Sequence, residues 1–288
     1  MFAIAVEQKQ YQTYILSDRA AHSHVEVVPE RGGIVTRWCI QAREILYLDA
    51  ERFADPSLSV RGGIPILFPI CGNLPDNTYR YKGQTYSLKQ HGFARDLPWD
   101  VAEQVSQNQV SLTLVLHSSE RTRSLYPFDF QLAVTYRLQG NRLEIQQHYT
   151  NRSEEPMPCS TGLHPYFWVS DKFQLAFDIP ATQVQDQHTK AVQPFSGQFD
   201  FETDEIDVGF HPLSRRSATV RDRARSMQLT LQYDKTYTNL VFWTVKGKDY
   251  YCLEPWSAPR NALNTGKQLT YIEPGATLET SVSLSVSL

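Results

Sequence analysis

The chain predicts an all-β fold, a large antiparallel sandwich or barrel with very little helix. Three observations carry this. Segments with apolar residues at every second position recur at roughly ten-residue intervals, the length of a strand plus its turn. Helical periodicity is almost absent. Fifteen Tyr and fourteen Phe suit a pleated, half-buried surface better than a helix. No linker, low-complexity tract or fixed-period repeat divides the 288 residues, so a single domain over 1–288 is expected.

The elements follow in order. Residues 25–28 predict a strand, Pro29 to Gly33 a turn, and residues 34–40 the next strand. In Arg61-Gly62-Gly63-Ile64-Pro65, paired glycines beside a proline indicate a backbone forced through tight turns or approached closely. Residues 79–86 form a hairpin around Lys82-Gly83, leading into Gln90-His91-Gly92-Phe93-Ala94-Arg95. Val110, Leu112, Leu114 and Leu116 share one strand face. Residues 130–138 and 143–149 pair across Gln139-Gly140-Asn141, and the one short helix is expected over 118–125, before Pro127. A polar, Pro-punctuated connection fills about 180–215 and carries Asp204 and Asp207. Strands resume at 227–233, 240–245, 250–253 and 278–288.

Composition excludes several function classes. The net charge of −3, without a basic run, disfavours nucleic acid and anionic membrane as partners. No window reaches the length of a membrane span, and Phe2–Val6 is too short for a signal peptide, so a cytoplasmic protein is expected. Cys39, Cys71, Cys159 and Cys252 are widely spaced and read as free thiols. His22-Ser23-His24 puts two imidazoles on one strand face, but no third ligand and no HExxH motif accompany them, so no metal is predicted. There is no G-x-S-x-G elbow for nucleophilic hydrolysis.

Three stretches hold candidate chemistry. In Tyr250-Tyr251-Cys252-Leu253-Glu254-Pro255-Trp256, a proline is expected to stop the ladder, leaving Glu254 at the strand end beside Trp256. A carboxyl there reads either as an ordinary solvated Glu or as a partly desolvated general base. His164 lies in Leu163-His164-Pro165-Tyr166-Phe167, among aromatic rings, and reads as a satisfied core histidine or as the matching acid. His91 precedes a glycine and reads as a turn histidine or a ligand contact; Arg95 reads as a surface charge or an anion binder.

Together, Arg61-Gly62-Gly63-Ile64-Pro65, His91-Gly92-Phe93-Ala94-Arg95, Leu163-His164-Pro165-Tyr166-Phe167 and Leu253-Glu254-Pro255 resemble, in order and spacing, the aldose 1-epimerase (galactose mutarotase-like) family, nearest its glucose-6-phosphate 1-epimerase branch. The resemblance spans about 60–260. It implies a β-supersandwich with a shallow sugar cleft and a cofactor-independent isomerase that interconverts α and β anomers of a hexose or hexose 6-phosphate. Glu254 would be the base and His164 the acid. His91 and Asp207 would hold the sugar, with Asp204 a competitor for Asp207, and Arg61 and Arg95 would meet a phosphate. The implied partner is a small sugar or sugar phosphate, with the chain a monomer or weak homodimer. The reading from another class is a non-catalytic carbohydrate-binding sandwich with Trp243 and Trp256 as stacking platforms. A glycoside hydrolase would normally need two carboxylates, and Glu254 is the single strong candidate.

Overall fold

A computed structural model describes residues 1–288. Two eight-stranded sheets and a five-stranded N-terminal sheet account for most of the chain, and the named strand pairs within them are antiparallel. In one large sheet the C-terminal strand Thr277–Ser287 lies between Arg142–Asn151 and Met227–Tyr233, so residues far apart in sequence close the centre of that layer. The other large sheet runs through Gln183–Asp186, Glu205–Phe210, Asn239–Val245, Tyr250–Trp256, Gly162–Leu163 and Ile66–Leu67.

Alternation decides what each sheet buries. Leu112, Leu132, Ile145 and Val282 from the first sheet join Phe210, Phe242, Tyr251 and Leu253 from the second in one cluster of 62 buried residues. The other face of the second sheet is different. Tyr166, Tyr250 and Cys252 form a small separate cluster there, against Tyr47 and Trp243. Tyr251 and Leu253 thus point into the core, while Cys252 and Glu254, two residues apart, project from the opposite face. This second face carries the candidate site.

Most expected strands form. Residues 25–28 extend to Ser23–Val28, the hairpin at Lys82-Gly83 joins Thr78–Tyr81 to Gln84–Ser87, and Gln139-Gly140-Asn141 turns between Phe130–Gln139 and Arg142–Asn151. The short helix is Glu120–Leu125, with Ser119 and Thr122 as a reciprocal cap.

Three expectations need correction. Pro255 does not end its strand, which runs from Tyr250 to Trp256. On one side it still pairs with Asn239–Val245. On the other, the neighbouring strand is already broken at His164-Pro165 into Gly162–Leu163 and Tyr166–Trp168, so a missing N–H disturbs a ladder that is interrupted anyway. The connection at 180–215 is also not free of strands: Gln183–Asp186, Val192–Pro194 and Glu205–Phe210 lie within it, and Glu205–Phe210 is an inner strand between Gln183–Asp186 and Asn239–Val245. Finally, two further short helices, Ala50–Ala54 and Ala262–Thr265, form in segments that show no helical period.

Candidate active site

The break in the strand at His164-Pro165 builds the centre of the site. Gly162 pairs with Trp256 and Tyr166 with Cys252, so the residue midway between, His164, falls opposite Glu254. The outcome is a direct contact, with His164 Nε2 3.3 Å from Glu254 Oε1. The other carboxyl oxygen, Oε2, accepts the Trp256 indole N–H at 3.1 Å, which leaves Oε1 turned to the imidazole. The His164 ring stacks on Tyr166 two residues on, with centroids 4.7 Å apart and planes 9° from parallel. Glu254 is 1% exposed, so the solvated strand-end reading of this residue does not hold.

Burial sets the charge states of this pair. It pushes the Glu254 carboxyl well above the usual carboxylate range; nearby Asp207 pushes the same way, while Arg260, the Trp256 hydrogen bond and Arg95 oppose it. Burial and the Arg95 charge push the His164 imidazole well below its usual range. Two buried groups that each resist charge, 3.3 Å apart, hold one proton between them as a unit. A second proton joins the pair only below the ordinary imidazole pKa of 6.5, and the last one leaves only above the ordinary carboxyl value of 4.5. Any activity that depends on the one-proton pair is therefore expected to have its acid limb below pH 6.5. A pH–rate profile at constant ionic strength checks this, and an acid limb with its midpoint at 6.5 or above would contradict it.

His91 stands beside this pair, its ring centroid 5.3 Å from that of His164 and 5.6 Å from that of Trp256. Its backbone is left-handed, with φ 67°. Two hydrogen bonds hold it to one residue: His91 N–H donates to the Gly72 carbonyl at 2.7 Å, and Gly72 N–H donates to His91 Nδ1 at 3.1 Å. Burial, with the Arg95 charge, keeps the imidazole neutral. With Nδ1 accepting, the ring proton sits on Nε2, and His91 is a fixed donor. The backbone-bonded and ligand-facing readings of His91 are compatible here. Gly92, also left-handed, is required by the fold: a Cβ there would strike the backbone carbonyl of Phe68.

A cavity of about 1040 Å³ opens over these groups. His91, His164, Glu254, Asp207, Arg61 and Arg95 all line it, so the structure brings the six sequence candidates to one hollow. Asp204 is exposed and does not line it. Arg61 lies over the Trp243 ring, 5.6 Å from its centroid. Arg95 donates from Nη2 to the Gln90 carbonyl at 2.9 Å. Neither arginine forms an ion pair with Asp96 or any other acid; the pairs present involve other side chains. Two guanidiniums without carboxylate partners face the cavity.

One lining residue had not been singled out from the sequence. Arg260 grips both oxygens of Asp207, at 2.9 and 2.7 Å, lies 5.4 Å from the centroid of Trp256, and reaches Asn73 Oδ1 at 3.2 Å. Gly72 makes room for it, since a Cβ on Gly72 would collide with the Arg260 side chain. Both oxygens of Asp207 thus accept from the one nitrogen Nη2, and burial raises the carboxyl while Arg260 pulls the other way. The signal available in sequence was a cation in the loop just after Glu254-Pro255-Trp256.

A family model described as aldose 1-epimerase matches residues 14–285. The chain belongs to the aldose 1-epimerase family. Its fold agrees with solved structures. It is 45% identical to the Slr1438 protein of Synechocystis sp. PCC 6803, with a TM-score of 0.95 over 100% of this chain and 99% of the other. A galactose mutarotase-like protein from Clostridium acetobutylicum, 19% identical, superposes with a TM-score of 0.84 over 99% and 98% of the two chains, a likeness of fold. Among curated sequences, the chromosomal LacX protein of Lactococcus lactis subsp. lactis is 27% identical over 267 residues, 81% of this chain and 88% of that one. Epimerase family membership supports an isomerase-type enzyme with a mutarotase-like role.

Proposed function

We infer that the protein interconverts the α and β anomers of a hexose or hexose 6-phosphate by acid–base ring opening, without a cofactor. The observation that carries this reading is the 3.3 Å contact between a buried imidazole and a buried carboxyl that line a cavity with ample room for a sugar. The two oxygens that must exchange protons in a cyclic hemiacetal sit on one carbon, so acid and base have to be adjacent. With the shared proton on His164, the Glu254 carboxylate takes the proton of the anomeric hydroxyl as His164 gives its proton to the ring oxygen, which leaves the pair in the neutral form that burial favours. The bond from C1 to the ring oxygen breaks and leaves an open-chain aldehyde. Rotation about C1–C2 presents the other carbonyl face, and closure runs both transfers backwards, returning the pair to its starting protonation. Each well-placed proton transfer contributes about 10²–10⁴ in rate.

The surrounding groups support the same chemistry. The fixed Nε2–H of His91 suits a sugar oxygen, and the remaining lone pairs of Asp207 suit a hydroxyl. The half-buried Trp243 ring suits stacking against a sugar face, as a simple binding protein would also need, whereas Trp256, expected as a second platform, is 1% exposed with Arg260 over its ring. A binding protein has no use for an imidazole and a carboxyl in contact, and that contact favours the enzyme.

Arg61 and Arg95, free of acidic partners, support an anionic substituent such as a 6-phosphate. Anomer exchange followed by polarimetry across glucose, galactose and their 6-phosphates tests this. Arg95→Gln is expected to raise KM for the 6-phosphate about tenfold or more over its effect on the neutral sugars, from the loss of one charge-assisted hydrogen bond, while any change in kcat from losing its charge beside the pair is shared by both. Equal effects on neutral and phosphorylated sugars would argue against a phosphate contact.

A further inference from the structure

We propose that His164, Cys252 and Glu254 form a zinc-type metal site superimposed on the acid–base pair, so that a thiophilic divalent cation of the zinc class binds there and switches the enzyme off. The sequence offers no sign of such a site, because its ligands are 88 residues apart or alternate along a strand. The fold assembles them. Cys252 and Glu254 project from the same face of the Tyr250–Trp256 strand, and the pairings Gly162–Trp256 and Tyr166–Cys252 set His164 against both. One ligand atom from each residue lies within 4.8 Å of the other two, and all three side chains are buried.

The donor set is what zinc selects: one imidazole nitrogen, one thiolate and one carboxylate oxygen. Tetrahedral bonds of about 2.0–2.3 Å put ligand atoms roughly 3.3–3.8 Å apart, so side-chain shifts of about 1 Å close the site. His164 and Glu254 line the cavity, which gives the ion its approach and leaves a fourth position for water. The proton on the pair and the proton on the Cys252 thiol are released as the metal binds. Proton transfer to and from a sugar uses the same lone pairs on His164 and Glu254, so the metal and the reaction exclude one another. Ring opening has no role for Cys252, yet this thiol lies directly beside the pair in a row of otherwise aromatic side chains.

The test uses the whole chain of 288 residues, treated with a chelator. Cadmium chloride is expected to give a thiolate-to-metal charge-transfer band at one equivalent, a readout independent of catalysis. Zinc chloride is expected to bring anomer exchange close to the uncatalysed rate, with recovery on adding a chelator. Cys252→Ser is expected to abolish the cadmium band and weaken zinc inhibition more than about tenfold, with metal-free exchange unchanged. Cys252→Ala, with its melting temperature measured, covers the case in which serine disturbs the buried site. Absence of the band in the wild type, or a band and an inhibition that survive in both variants, would overturn the proposal. Only the inhibition arm rests on the epimerase reading. A band lost on changing Cys252, in a protein without exchange activity, would keep the metal site and reject the epimerase.

Discussion

Replacing Glu254 by glutamine is expected to lower anomer exchange by about 10²–10⁴ while the fold stays intact. Glutamine fills the same volume, and its side-chain carbonyl can still accept the Trp256 indole N–H that Glu254 Oε2 accepts at 3.1 Å. It cannot take up the anomeric proton. The stability effect has a definite sign. Burial raises the folded-state pKa of Glu254 above the usual 4.5, so the folded protein holds this proton more tightly than the unfolded chain. The stability linked to the group is fully present below 4.5 and declines as pH rises through the window up to the raised folded value. Glu254→Gln removes that dependence. Its melting temperature near neutrality is therefore expected to equal or exceed that of the wild type, with a flatter dependence on pH, as for other groups held for function rather than stability. Calorimetric scans from acid to neutral pH, beside exchange rates, check both halves. A variant that loses stability and activity together would mean that Glu254 serves packing.

His164→Asn is expected to lower exchange by a similar factor, about 10²–10⁴, by removing the group that protonates the ring oxygen. The change also removes a ring stacked on Tyr166 and leaves the Glu254 carboxyl facing a smaller polar side chain. A drop in melting temperature is therefore expected here and not for Glu254→Gln. Two further readouts separate chemistry from packing. Added imidazole is expected to restore part of the rate by entering the space left in the cavity floor. Combining His164→Asn with Glu254→Gln is expected to cost little more than either change alone, because the two groups act as one proton-sharing unit. Fully multiplicative losses would argue against shared action.

Much of this arrangement is legible in the sequence, and the exceptions have physical causes. Period-two alternation identifies the strands of the first large sheet, because each buries one face. Alternation also puts Cys252 and Glu254 on one side of their strand, with Tyr251 and Leu253 on the other. Pro255 misleads, because a proline reads as a ladder breaker unless the neighbouring strand is known to be broken, and that break comes from His164-Pro165, some ninety residues earlier. The strands at 183–210 are hidden by polar residues, although Glu205–Phe210 is internal and buries Asp207. Its carboxylate is paired with Arg260, 53 residues later, and no local pattern links the two. The site is thus readable where its residues obey strand periodicity and hidden where a long-range partner sets their environment.

Equilibrium exchange spectroscopy by NMR tests the central claim most directly, because at equilibrium a mutarotase leaves no other trace than faster interconversion of the anomers. With the purified wild-type protein and an equilibrated hexose or hexose 6-phosphate, α–β exchange cross-peaks should grow in proportion to enzyme concentration, without added metal or cofactor, and should vanish for Glu254→Gln. Exchange at the buffer rate for every sugar tried, in a protein shown by calorimetry to bind one of them, would contradict the account and leave a carbohydrate-binding sandwich in its place.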